Sequence, residues 1–140
     1  MRDVLDGLVG SIAFTCVGVL LLLAGFMLVD WLTPGSLRHQ IWSERNRNAA
    51  VFLGSAQLGV GAIAFTSIIT TYADFWVGLA STAIFGALGL LLMAGAFWLL
   101  DALTPGKLGL ILVDPDAHPA VWVSAATNVA VAAIVCASIS

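Results

Sequence analysis

The residues best placed to do chemistry in this chain are two carboxylates, Asp30 and Asp101, each closing a long apolar run and each opening the same string. Asp30-Trp31-Leu32-Thr33-Pro34-Gly35-Ser36-Leu37 returns 71 residues later as Asp101-Ala102-Leu103-Thr104-Pro105-Gly106-Lys107-Leu108. A carboxylate inside hydrocarbon marks a proton or cation path, whereas one at its edge is tolerated at lower cost. An aspartate ending a helix also opposes the helix dipole and needs a partner. The partners on offer are N–H groups of the Thr-Pro-Gly turn, Arg38 or Lys107. Those local donors favour a structural turn over an ion or substrate site. A second repeated pair, Gln57 and Asn128, lies within apolar runs among Gly54, Ser55, Gly59 and Gly61, or Ala125, Ala126, Ala130 and Ala132. Amides in lipid more often join helices than line a pore.

The other reactive types are scattered. His39 and His118 do not align in the repeat, have no further ligand at metal spacing, and read as solvated loop residues. Cys16 and Cys136 fall at different depths, which disfavours a disulfide and makes them small packing residues. No phosphate loop, nucleophile triad or zinc-protease signature occurs. Neither a catalytic group, a cofactor nor a metal is expected. Arg38, Arg45 and Arg47 suit anionic headgroups and are too few to suggest nucleic acid.

The elements that must position these residues follow from composition. With 61 % hydrophobic and 9 % charged residues, the chain lies far from soluble domains, which carry roughly 25 % charge. Four runs free of Asp, Glu, Lys and Arg, at about 7–29, 49–70, 76–100 and 120–139, predict transmembrane helices. A soluble bundle would need polar outer faces, which these runs lack. The first run is too long, and its basic start too weak, for a signal peptide.

At a fixed offset, residues 7–69 and 78–140 share 20 identities in 63 pairs, which apolar composition alone does not produce. The expected architecture is an all-α membrane protein made by tandem duplication of a two-helix hairpin, with units 1–71 and 72–140. Each unit holds an even number of spans, so the repeats are parallel and related by an axis along the membrane normal. Thr33-Pro34 and Thr104-Pro105 predict starts of short interfacial helices, with threonine as cap and proline in the first turn. In the first copy Leu37, Ile41 and Trp42 alternate with Arg38, Gln40, Glu44 and Arg45, as in a helix lying on a membrane surface. Leu108–Val113 is almost wholly apolar and should sit deeper. Loops 30–48 and 101–119 hold Arg38, Arg45, Arg47 and Lys107, against Arg2 alone at the other side. The positive-inside rule therefore places these loops in the cytoplasm and both termini outside. Trp31, Trp42, Trp98 and Trp122 are expected at the inner interface, and Tyr72, Phe75 and Trp76 at the outer one.

The D-x-L-T-P-G-x-L string, followed by Glu44-Arg45-Asn46-Arg47-Asn48-Ala49-Ala50 before the next span, resembles the YjfL-like family of bacterial inner-membrane proteins, catalogued as domain of unknown function 350. The resemblance covers the whole chain and implies a duplicated two-helix membrane protein without assigned activity, sometimes associated with polyamine-metabolism or membrane-stress genes. The second copy departs from it, with Asp114-Pro115-Asp116-Ala117-His118-Pro119-Ala120 in place of the Glu- and Asn-bearing stretch. Any task of that stretch belongs to the first half. The leading functional expectation is a non-enzymatic inner-membrane component that assembles with itself or another membrane protein. The alternative is a small channel or transporter for ions or polyamines.

Overall fold

The protein is described by a computed structural model covering residues 2–71 and 74–140. The order is α1 (Arg2–Leu32), α2 (Leu37–Trp42), α3 (Arg47–Thr70), α4 (Phe75–Leu103), α5 (Leu108–Val113) and α6 (Pro119–Ile139). There is no strand among the described residues. Four helices, of 21 to 29 residues in their apolar stretches, are long and apolar enough to cross a membrane. At about 1.5 Å per residue even the shortest spans about 30 Å. Helix is the form these segments must take, because lipid offers no partner to an open N–H or C=O.

The two long helices that precede the repeated string run further than expected. α1 continues through Asp30 to Leu32, and α4 through Asp101 to Leu103. Each stops where the following Thr-Pro pair excludes helical geometry at the threonine. The expected starts at Thr33-Pro34 and Thr104-Pro105 are not the helix starts observed. α2 begins at Leu37 and α5 at Leu108, and the preceding residues Ser36 and Lys107 are extended and make no side-chain cap. The cause is the glycine between: Gly35 at φ +95° and Gly106 at φ +125° hold the chain outside right-handed helix. Helix can resume only after each glycine.

α3 and α6 form the most extensive helix pair and carry much of the core. Phe52, Val60 and Ile63 of α3 are buried, as are Val121, Ala132 and Val135 of α6. Small residues set the spacing. A Cβ on Gly59 would lie 2.8 Å from Met93 Cε and 3.0 Å from Ala132 Cβ, so α3, α4 and α6 meet there. A Cβ on Gly86 would collide with the Leu21 side chain, which brings α1 against α4. Phe52 and Phe97 meet edge to face at 5.4 Å between centroids. α4 also leans on α3, whereas α1 makes no comparable pairing with α6. As a result α1 is the least covered span, with 17 % of its apolar window buried against 44 % for α3.

The exposed aromatic residues fall at the two ends of the bundle. Trp31, Trp42, Trp98 and Trp122 are exposed towards the end that carries the turns, and Phe75 and Trp76 are exposed at the opposite end. Tyr72 lies outside the described residues.

Candidate functional site

Each repeated aspartate reaches forward over its own turn. Asp30 Oδ1 accepts from the Leu37 N–H at 2.7 Å, and Asp101 Oδ1 accepts from the Leu108 N–H at 2.5 Å. The donor is thus the first N–H of the next helix, seven residues on, and not Arg38 or Lys107. Such charge-assisted bonds are roughly twice as strong as neutral ones. They satisfy a helix-start donor that Ser36 and Lys107 leave uncapped. Leu37 and Leu108 are fully buried beneath these bonds, Leu32 is half-buried and Leu103 exposed.

The two turns differ in their other contacts. Gln40, read from sequence as part of a polar face, is buried and donates from Nε2 to the Pro34 carbonyl at 2.9 Å. That bond folds α2 back over its own turn. A Cβ on Gly35 would sit 2.9 Å from the same Nε2, while one on Gly106 would meet nothing within 4 Å. Thr104 Oγ1 donates back to Leu100 O at 2.6 Å, whereas the buried Thr33 Oγ1 has no protein partner. Pro34 also touches the second copy: a Cβ on Gly109 would lie 3.2 Å from its Cδ.

The most connected polar side chain is one that sequence reasoning passed over. Asn48, in the first turn of α3 and 4 % exposed, donates from Nδ2 to the carbonyls of Ile111 (3.2 Å), Asp114 (3.1 Å) and Asp116 (2.7 Å). Its Oδ1 accepts from the His118 N–H at 3.3 Å. One amide of the first half therefore holds the whole α5–α6 connection. The position 71 residues on is Pro119, which has no amide side chain, so the clamp exists once. The Glu44–Ala50 stretch advertised its residues, yet partners 63 to 70 residues away left no local signal.

Three helix caps complete this frame. Asn46 accepts from Ala49 N at 3.1 Å, and Asp74 from Trp76 N at 3.1 Å and Val77 N at 3.4 Å. His118 is exposed and lies in the connection before α6, as expected of a solvated loop residue, and in addition caps α6, its Nδ1 accepting from the Ala120 N–H at 3.1 Å with Pro119 following. An accepting Nδ1 means that the proton of the neutral ring is on Nε2. His39, also expected in a loop, lies in α2, with Nε2 3.5 Å from Glu44 Oε1. Arg45 holds φ +54°, a left-handed geometry uncommon outside glycine, where the chain passes from α2 into α3.

The intramembrane amides point to different neighbours. Gln57 Nε2 donates to the Leu22 carbonyl of α1 at 3.0 Å. Asn128 Nδ2 donates to Ser55 Oγ of α3 at 3.0 Å, in a buried setting. Cys16 and Cys136 are free thiols.

Two concave surfaces lie against α3. Between α1 and α3, towards the terminal end, is a cleft of ≈ 700 Å³ that Gly7, Gly10, Gly18 and Gly61 leave open, with Asp6 and Asp74 among its lining. Between α3 and α6 is a shallower, apolar groove of ≈ 640 Å³, with Gly54, Leu58, Ala126, Ala130 and Trp122 along it.

Comparison with known proteins agrees with this architecture. A "UPF0719 transmembrane protein" of Mycolicibacterium paratuberculosis is 32 % identical over 140 residues, covering 100 % of this chain and 93 % of the relative. Transmembrane proteins of the same UPF0719 group from Mycobacterium bovis and Mycobacterium tuberculosis are each 31 % identical over 140 residues, covering 100 % of this chain and 92 % of theirs. No solved structure matches. The family described as Domain of Unknown Function (DUF350) matches residues 3–139. With four helices able to span a membrane and a match along almost its whole length, the chain belongs to the DUF350 family of membrane proteins.

Proposed function

We propose that the protein is a non-enzymatic component of the bacterial inner membrane that works by assembling, with itself or within a larger membrane complex. The observation that carries this reading is the α3–α6 groove. Gly54, Ala126 and Ala130 are exposed beside Leu58 and Trp122, forming a concave apolar strip of small residues on the central helix pair. Small faces allow close helix approach in membranes, where packing drives association. The intramembrane amides support the same reading, since Gln57 and Asn128 are each engaged in holding neighbouring helices. In this proposal the repeated string is a turn device: its aspartates hold the starts of α2 and α5, and its glycines re-aim the chain. The halves 1–71 and 72–140 are then copies of one hairpin, of which the first supplies the clamp.

The test is the mass of the particle in nanodiscs of native-like lipid. Oligomers that dissociate when Gly54 and Ala126 are both replaced by leucine support assembly through the groove. A strictly monomeric particle in nanodiscs and in mild detergent overturns the assembly of copies. Retrieval of a stoichiometric membrane partner that the same double substitution releases then stands for the larger complex.

The second reading, a small channel or transporter for ions or polyamines, draws on the α1–α3 cleft, a mostly apolar space whose lining includes the two carboxylates Asp6 and Asp74. Leu22, which lines the cleft, accepts from Gln57 Nε2 through its carbonyl. Cation or polyamine flux through purified protein in liposomes, abolished by Asp6→Asn with Asp74→Asn, would establish it. We also propose that the turns and Asn48 face the cytoplasm, with both termini outside. A cysteine placed at Ser140 and labelled in intact cells by an impermeant reagent supports this orientation, whereas labelling only after permeabilisation reverses it.

A further inference from the structure

We propose that the groove between α1 and α2 is a binding site for one anionic phospholipid. The groove, ≈ 710 Å³, runs from an apolar wall of Leu23 and Phe26 on α1 to Arg38, His39 and Trp42 on α2. The hydroxyl residues Ser36 and Ser43 border it. Its two ends have opposite chemistry, in the order a phospholipid has along its length. Leu23 and Phe26 lie one to two turns inside the span from Asp30, at acyl-chain depth. Arg38 and Trp42 lie beyond the turn, at headgroup depth, and Trp42 is 67 % exposed.

Charge selects the headgroup. A guanidinium presents planar paired donors that match phosphate oxygens. Among the described residues the one close approach of a basic side chain to a carboxylate is that of His39 Nε2 to Glu44 Oε1, so no carboxylate of the described residues holds Arg38. Glu44 lies against His39, which leaves Arg38 as the phosphate contact. A free phosphate ion would leave Leu23, Phe26 and Trp42 uncovered, which is why the occupant is a lipid. The second half cannot repeat the site. Gly109, Leu110 and Val113 stand 71 residues after Arg38, His39 and Trp42, and remove cation, imidazole and indole together. One site per chain follows.

Native mass spectrometry of the full chain in mild detergent tests this, using phosphatidylglycerol and phosphatidylcholine with identical acyl chains. One tightly held phosphatidylglycerol per chain is expected, preferred about fivefold over phosphatidylcholine for the one cation engaged. Arg38→Gln should abolish the preference, and Lys107→Gln, at the corresponding turn of the second half, should keep it. Leu23→Trp fills the apolar wall without touching charge and should also lose the lipid. Should Arg38→Gln fail to fold, as read by helical circular dichroism, Leu23→Trp decides alone. Equal retention of the two lipids, survival of the preference in either folded variant, or its displacement by millimolar glycerol phosphate overturns the proposal. The last result would assign the groove to a small anion.

Discussion

At the scale of single residues, Asn48 and the two aspartates carry most of the directed polar contacts at the turn end of the bundle. Asn48→Ala removes one donor group shared by three carbonyls and the acceptor for His118 N. The expected loss is about 2–3 kcal/mol, from net bond energies near 1 kcal/mol and the cost of leaving buried carbonyls unpaired. A lower melting temperature in detergent would register it. Asn48→Asp should cost more than alanine, because it points a carboxylate oxygen at the same three carbonyls. An aspartate variant as stable as wild type would contradict the assigned amide orientation. Asp30→Asn and Asp101→Asn keep an acceptor oxygen and should lose less than about 1 kcal/mol, whereas alanine at either site should lose about 1–2 kcal/mol. If the folded double asparagine variant instead loses assembly or flux, the aspartates do more than hold their turns.

At the scale of elements, glycine and proline act together. Gly35→Ala combines left-handed strain of about 1–2 kcal/mol with a Cβ pressed on Gln40 Nε2, whereas Gly106→Ala meets open space and bears only the strain. The first variant should therefore melt lower than the second, and the reverse order would show that Gln40 does not hold α2 in place. Much of this element layout was legible beforehand. The four spans could be read because charge-free apolar runs of that length admit few alternatives, and the short helices because the strings before them are alike. The exact starts could not be read, because Thr-Pro resembles a cap and first turn until the positive φ of the next glycine is known. Gln40 looked solvent-facing by spacing, and became buried because the turn brings Pro34 O within its reach. The cap that His118 adds from its loop position went unread because a histidine cap has a weaker sequence signal than Asn46 or Asp74.

For the whole molecule, the two halves are alike in sequence and unlike in their surroundings. α4 packs against three other spans and α1 against two, with the cleft and the α1–α2 groove on the flanks of α1. Gly86→Leu should part α1 from α4, because Leu21 already occupies the space over Gly86. Gly54→Leu should leave the monomer fold intact, because nothing lies within 4 Å of its Cβ position. Proteolysis in detergent separates the cases: cleavage near α1 is expected to rise for the first variant and stay unchanged for the second. None of this asymmetry was readable from the repeated string, which is a likeness of sequence and carries no record of packing. Nor did any local pattern join Asn48 to a connection in the other half. That bond has a consequence for how the chain is made. Every partner of Asn48 is synthesised 63 to 70 residues after it, so when α3 enters the bilayer its polar end has nothing to hold. Until the stretch from Ile111 to His118 has been made, the first hairpin lacks these bonds. The latch closes only in a chain that contains both halves, so a chain truncated before Ile111 should be degraded faster than the full chain in a pulse-chase in cells.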